Sequence, residues 1–200
     1  MSLSNYQQSL VLNLARSFIR HALAGTSLML WGDQDPVLKE PAGCFVTLHA
    51  LRNHALRGCV GRIEATQPLL DALRSSSQQV LRDPRFADNA VRFEELPLLE
   101  IEVSVLSAPR SAPSPLDFEP LLHGIYLTLG NRGGCFLPQV AQETGWTREQ
   151  LLDRLCTEKL GLTASAWRNP QARLSVFSVL VIGPEPFDPS AVGTNWKTSG

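Results

Sequence analysis

The sequence predicts an α+β fold in which helices flank an antiparallel sheet. Strand-like runs occur as a hairpin and as separate segments among helices, without the regular alternation of strand and helix that a parallel sheet shows. Apolar residues make up 44% of the 200 residues and charged residues only 18%, so the chain can bury a substantial core. This length suits one ordinary domain.

The N-terminal half is predicted to supply a helix, a hairpin and a second helix. Apolar residues recur at helical spacing along 10–22, which indicates an amphipathic helix that Gly25 ends. Two β-prone runs, 44–50 and 56–63, are separated by a connection short enough for a hairpin. A second helix is predicted to begin at Pro68 and to end before the next proline.

The C-terminal half is predicted to be richer in strands. Strands are expected at 98–106, 125–129, 135–137 and 174–182. The first alternates between glutamate or serine and apolar residues, which predicts a half-buried strand. Thr147, with Gln150 three residues later, predicts a capping box at the start of a helix that reaches Leu160. From Gly183 onwards we expect a tail that is loose or lies over the surface.

Charge and composition argue against several classes of protein. A net charge of -1 provides no overall positive field to attract nucleic acid or anionic lipid. No apolar run approaches the roughly 18 residues of a membrane span, and the N-terminus lacks the basic and apolar pattern of a secretory signal. The four cysteines form no C-x-x-C pair. We therefore expect a cytoplasmic protein with reduced thiols, no metal and no cofactor.

The run LRGCVG at 56–61 is the most unusual segment, because two glycines interrupt a predicted strand. A strand tolerates glycine at a bulge, or where another backbone or a ligand approaches closely. If a three-residue loop closes the hairpin, Thr47 lies opposite Cys59 and His49 lies opposite Arg57, all on one face. That register gathers a thiol, a hydroxyl, an imidazole and a guanidinium.

These residues form a candidate cleft. Positive charge beside a thiol favours the thiolate, so Cys59 is a candidate nucleophile or acid/base, with Arg57 as its stabiliser and as a clamp for an anion. Thr47 lines the same cleft in this interpretation. Gly58 and Gly61 would leave room for a substrate.

Structural interpretations of the same residues stay open. A lone cysteine in an apolar strand usually packs in the core. Glu102 is a general base if its face lines a cleft, an ion-pair partner for Arg57 or Arg85, or part of a solvated face with Glu100. Asp83 is expected to accept the amides of a turn.

Several blocks of sequence, in order, resemble the AMMECR family, known in microbes as AmmeMemoRadiSam system protein A. The blocks are GCFVTL at 43–48, LRGCVG at 56–61, DPRF at 83–86, EVSVL at 102–106, HGI at 123–125, FLPQVA at 136–141 and GW at 145–146. The second resembles the family signature L-R-G-C-I-G, with valine for isoleucine. Near the last helix, the family's K-A-G-L is similar to 159–162 here, with one extra residue after Cys156.

The resemblance implies an α+β fold with a larger and a smaller lobe in one compact unit. We expect it to span 5–186, with a loose tail at 187–200. It also implies a Memo-type protein and a radical S-adenosylmethionine enzyme as partners, and the radical chemistry belongs to the partner because this chain lacks a three-cysteine cluster motif.

The resemblance supplies no reaction. The residues favour an enzyme, or an enzyme component, that acts on a small molecule or a modified base in the Cys59 cleft. The alternative is a non-catalytic binding or scaffold module whose LRGCVG surface docks a partner protein or carries a ligand for it. RNA binding is disfavoured by the charge balance.

Overall fold

The structure, a computed structural model, describes residues 2–28 and 35–188. The chain forms two compact units, a terminal unit (Ser2–Val105 with Leu180–Gly200) and a central unit (Leu106–Val179). Both contain helices and antiparallel strands, which confirms the predicted α+β class. In the part of the chain that the structure describes, no helix combines the length and the apolar character that crossing a membrane requires.

The terminal unit contains a helix-covered sheet. Its elements are α1 (Asn5–Leu23), β1 (Gly43–Ala50), β2 (Leu56–Arg62), α2 (Leu69–Gln79) and β3 (Leu99–Leu106), with 3-10 helices at Pro36–Lys39, Val80–Arg82, Pro84–Asn89 and Phe93–Leu98. The central unit contains β4 (Arg110–Ser111), β5 (His123–Leu129), β6 (Arg132–Phe136), α3 (Pro138–Thr144), α4 (Arg148–Arg154), a π-helix at Leu155–Lys159 and a 3-10 helix at Ala164–Arg168. The last strand, β7 (Arg173–Pro186), begins in the central unit and continues in the terminal unit from Leu180.

Helices α1 and α2 cover one face of the terminal sheet, in which the strand order is β2-β1-β3-β7. The core joins Val11 and Phe18 of α1, Leu73 of α2, and Val46 and Leu48 of β1, all of them buried. The alternate residues of β1 therefore point to the opposite face, on which the candidate site lies.

Local capping chemistry sets the helix ends. Ser4 accepts a hydrogen bond from the amide of Gln7, and the Gln7 side chain accepts one from Ser4, so α1 begins with a capping box. It ends before Gly25, whose φ is +67°. The predicted capping box of Thr147 and Gln150 is confirmed at the start of α4.

The central unit departs from the prediction around its helices. Helix α4 ends at Arg154 and continues as a π-helix, in which the amide of Leu160 donates to the carbonyl oxygen of Leu155, five residues back. Helix α3, which the sequence analysis did not identify, is bounded by Pro138 and Gly145.

The predicted half-buried character of β3 is wrong. Glu100 and Ser104, expected on a solvated face, are both buried. The Glu100 carboxylate tolerates burial because it lies 2.6 Å from Nδ1 of the exposed His54.

Strand β7 is longer than predicted and shows no loosening at Gly183. It continues to Pro186, and Phe187 follows it as a fully buried side chain whose amide donates to the Leu99 carbonyl oxygen at 2.8 Å. Residues 189–200, most of the tail expected at 187–200, lie outside the described residues.

Phe187→Ala is expected to lower the free energy of unfolding by about 3–5 kcal/mol, because it removes a buried aromatic ring and leaves a cavity. Chemical denaturation measures the change. Tyr6→Ala, on the exposed side of α1, is the control and should change stability by less than about 0.5 kcal/mol. Equal stability of the two variants would show that the chain is loose from 187 onwards.

Candidate functional site

The candidate site is built on the antiparallel pair of β1 and β2. Thr47 lies opposite Cys59, as predicted, and the Thr47 hydroxyl donates to Sγ of the partly exposed Cys59 at 3.2 Å. The backbone groups of Cys59 bond away from β1, so the two residues form a non-hydrogen-bonded pair. Side chains approach most closely in such pairs, which explains the contact.

A β-bulge corrects the predicted position of Arg57. The register shifts after Leu48, and His49 lies opposite Leu56, so the expected pairing of His49 with Arg57 is wrong. Arg57 is the extra residue of the bulge. A bulge redirects its side chain, and the guanidinium donates to the Glu95 carboxylate at 3.0 Å and to the Asn89 carbonyl oxygen at 3.1 Å.

Two side chains close the outer edge of β2 at Cys59. The Asp83 carboxylate accepts the Cys59 amide at 2.9 Å, and Arg85 donates to the Cys59 carbonyl oxygen at 3.0 Å. Arg85 also binds Asp83 through Nη2 at 2.6 Å and Nε at 3.1 Å. The pair thus makes the bonds that a neighbouring strand would make.

The charges at this edge support one another. The pKa of Asp83 falls to about 2, mainly because Arg85 hydrogen-bonds its carboxylate and also because the amides of Cys59 and Arg85 donate to it. The pKa of Arg85 is raised, first by the Asp83 hydrogen bond and further by Cys59. Arg85, rather than Arg57, is therefore the guanidinium that interacts with Cys59.

The glycines of the LRGCVG run allow another group to lie close to β2, as predicted, but that group is part of the protein itself and not a ligand. A Cβ at Gly58 would lie 2.8 Å from the carbonyl oxygen of Val80. A Cβ at Gly61 would overlap the backbone of Cys44 and Phe45. The room expected for a substrate beside both glycines is therefore occupied.

Glu102 lies on the same face of the sheet as Thr47. Strand β3 is the neighbour of β1, and Ile101 and Val103 of β3 pack in the core with Val46 and Leu48 of β1. The side chains of Thr47 and Glu102 therefore both point to the opposite face.

Burial raises the pKa of Glu102. The ion-pair alternative for Glu102 is not found among the described residues, because Arg57 pairs with Glu95 and Arg85 with Asp83.

A cavity of about 480 Å³ lies beside Arg57. Its lining residues are Ala50, Leu51, Arg52, Arg57, Glu95, Leu98 and Leu99. Within residues 2–28 and 35–188, no group of three or more His, Cys, Asp or Glu side chains is placed to hold a metal ion.

The proximity of Asp83 and Arg85 to Cys59 was not predicted from the sequence. Asp83 was expected only to accept the amides of a turn, and it does accept the Arg85 amide at 3.1 Å. The available signal was the DPRF block at 83–86, which resembles the same family as the LRGCVG run.

The chain is similar to known proteins over most of its length. A family model described as AMMECR1 matches residues 12–182. A protein of Methanothermobacter thermautotrophicus is 35% identical over 187 residues, covering 90% of this chain and 95% of that protein. Protein MJ0810 of Methanocaldococcus jannaschii is 34% identical over 160 residues, covering 76% and 78%. The solved structure of uncharacterized protein PH0010 from Pyrococcus horikoshii superimposes with a TM-score of 0.79 at 31% identity, covering 90% and 92%.

Gly58→Ala is expected to lower stability by about 1–3 kcal/mol, because the added methyl group meets a backbone oxygen that cannot move aside easily. Thermal melting measures the loss. Gly133→Ala is a matched strand control, whose methyl group would meet the movable Tyr126 hydroxyl, and its cost should be smaller. A rise in the melting temperature of Gly58→Ala would contradict the close contact with Val80.

Asp83→Asn is expected to lower stability near neutral pH by on the order of 2 kcal/mol. Folding lowers the pKa of Asp83 from 3.8 to about 2, so its contribution is present above about pH 4 and is lost as the pH falls towards 2. The difference in unfolding free energy between wild type and variant should therefore shrink over that range, as measured by urea denaturation.

Asp71→Asn, which alters a half-exposed carboxylate 4.0 Å from Arg74, is the control for this pH series. It should track the wild type at every pH. A constant gap between Asp83→Asn and wild type from pH 7 to pH 2 would mean that the Asp83 charge does not support the fold.

Proposed function

The chain belongs to the AMMECR1 family, and we propose that it is an enzyme, or a component of one, whose nucleophile is Cys59. Its substrate is a small molecule or a modified base. The solved relative from Pyrococcus horikoshii is described as uncharacterized, so the proposal depends on the geometry of the site rather than on a known reaction.

The observation that carries the proposal is the surroundings of the Cys59 sulfur. The Thr47 hydroxyl donates to Sγ at 3.2 Å, and the guanidinium of Arg85 interacts with the same residue. A hydrogen-bond donor to the sulfur stabilises a thiolate, and Arg85 adds a nearby positive charge that Asp83 offsets in part. Asp83 binds the amide of Cys59 and Arg85 binds its carbonyl oxygen. Because the backbone is fixed in this way, the sulfur is kept in position for attack.

The chemistry that fits this arrangement is addition of the thiol to an electrophilic carbon. A bond forms between Sγ and that carbon, and the electron pair of the carbon's double bond moves to the attached atom. The thiol proton leaves to solvent before attack, and that atom takes up a proton from Glu102, whose pKa is raised by burial. The step is an addition and needs no oxidant or reductant.

The proposal includes the partners and the location that the family resemblance and the cysteines imply. The partners would be a Memo-type protein and a radical S-adenosylmethionine enzyme, with the radical chemistry in the latter. Cys44, Cys59 and Cys156 are thiols rather than disulfides, which suits the reducing cytoplasm.

One observation favours a second candidate, a non-catalytic binding or scaffold module. The space beside Gly58 and Gly61 is filled by the protein, and Arg57 already has Glu95 as its partner. In that case the LRGCVG run stabilises the fold, and Cys59 carries no reaction.

Cysteine alkylation separates the two candidates. Cys59 is expected to react with iodoacetamide much faster than Cys44 or Cys156, because burial raises the pKa of Cys44 to about 12 and also raises that of Cys156. Time-resolved labelling with peptide mass spectrometry at pH 7 measures each site. Uniformly slow labelling would favour the scaffold.

Arg85→Gln should slow the alkylation of Cys59, because it removes the nearby positive charge. Arg74→Gln removes an arginine of α2 that is half-exposed, and it serves as the control for the loss of one charge. Equal Cys59 rates in both variants and in wild type would contradict the partnership of Arg85 and Cys59.

A further inference from the structure

We infer that the cavity beside Arg57 binds a small molecule with an apolar body and a single negative charge, and that this molecule belongs to the substrate class on which Cys59 acts. The first part concerns binding alone and stands on the cavity. The second part rests on the proposed function of Cys59.

The size and lining of the cavity fit a small organic ligand. Its volume of about 480 Å³ lies within the range of ligand sites in proteins, about 300–1,000 Å³. Most of the lining is apolar, supplied by Ala50, Leu51, Leu98 and Leu99. Leu98 is 60% exposed, so its apolar surface is accessible to a ligand.

The charges at the cavity indicate an anion. Arg57, only 12% exposed, pairs with Glu95, and Glu95 also accepts the Arg92 amide at 2.8 Å, so this neutral pair is fixed in place. Arg52 also lines the cavity and is exposed. Among the described residues it forms no salt bridge, so the lining carries one uncompensated positive charge. A ligand with one negative charge complements it.

Strand β2 leads from this cavity to the thiol. Arg57 and Cys59 are separated by a single residue on the strand, about 7 Å of backbone. The bulge turns the Arg57 side chain towards Glu95, in the cavity wall. Cys59 lies opposite Thr47, five residues before Arg52, so a molecule whose anionic end lies at Arg52 needs an extended body, on the order of 15 Å long, to bring its reacting carbon near Cys59.

The test uses three probes with the same phenylbutyl body and different charges. These are 4-phenylbutyrate, its neutral amide and 4-phenylbutylamine, titrated into the full chain and followed by backbone amide NMR. We expect saturable shifts at Ala50, Leu51, Arg52 and Leu98. The acid should bind about fivefold more tightly than the amide, as for a partly exposed ion pair, and the amine should bind most weakly.

Variants separate the contribution of the charge of Arg52 from that of the apolar contact with Leu98. Arg52→Gln should reduce the affinity for the acid to that for the amide, whereas Arg62→Gln, an exposed arginine at the far end of β2, should leave the preference for the acid unchanged. Leu98→Asn should weaken all three probes alike, because it removes apolar contact.

Several results would overturn the inference. These are equal affinities for the three probes, a preference for the amine, shifts confined to other parts of the chain, or no saturable binding. If an extended peptide produced these shifts and the acid did not, the surface would be assigned to a protein partner instead.

Repeating the titration with Cys59→Ala separates this inference from the proposed function. Unchanged binding together with slow alkylation of Cys59 in the wild type would retain the cavity as a ligand site and remove the catalytic thiol. Rapid alkylation without probe binding would retain the thiol and remove the cavity.

Discussion

The carboxylate of Asp83 is the group on which the site depends. It lies 24 residues from Cys59 in sequence, yet it accepts the Cys59 amide and aligns Arg85, which in turn binds the Cys59 carbonyl oxygen. An edge strand otherwise leaves such backbone groups to water. Because the carboxylate is buried and carries its charge at neutral pH, the interaction requires Arg85 as a counter-ion. The position of the thiol is therefore linked to an ion pair that forms only when the segment after α2 packs on β2.

Each arginine near the LRGCVG run has a different partner, and this separates two tasks. Arg85 stays beside Cys59 because Asp83 holds it, and its side chain is 56% exposed and within reach of an incoming anion. Arg57 is turned away by the bulge and pairs with Glu95. A single residue inserted in β2 thus moves one positive charge from the thiol to the wall of a cavity. Gly58 lies between Arg57 and Cys59, and its lack of a side chain allows the backbone of Val80 to pack against β2 at this point.

Features determined by neighbouring residues could be predicted from the sequence. The capping box of α4, the hairpin and the pairing of Thr47 with Cys59 depend on short spacings. The bulge at Arg57 could not be predicted. The residues before and after the extra residue each alternate between the two faces of the sheet, as they would in a regular strand. Asp83 was assigned to its own turn, since nothing local shows that a carboxylate reaches a distant amide. The burial of Glu100 likewise depends on His54, 46 residues away.

The closed edge of β2 also has a consequence for the behaviour of the protein in concentrated solution. An edge strand with free amides and carbonyls is a template on which a second chain can add a strand, and segments with low charge and high β-propensity are the most prone to it. Asp83 and Arg85 occupy these groups at Cys59 with opposite charges. Loss of either side chain would therefore leave an unpaired strand edge and also displace the Cys59 sulfur. Variants that lose the site should thus also aggregate more readily.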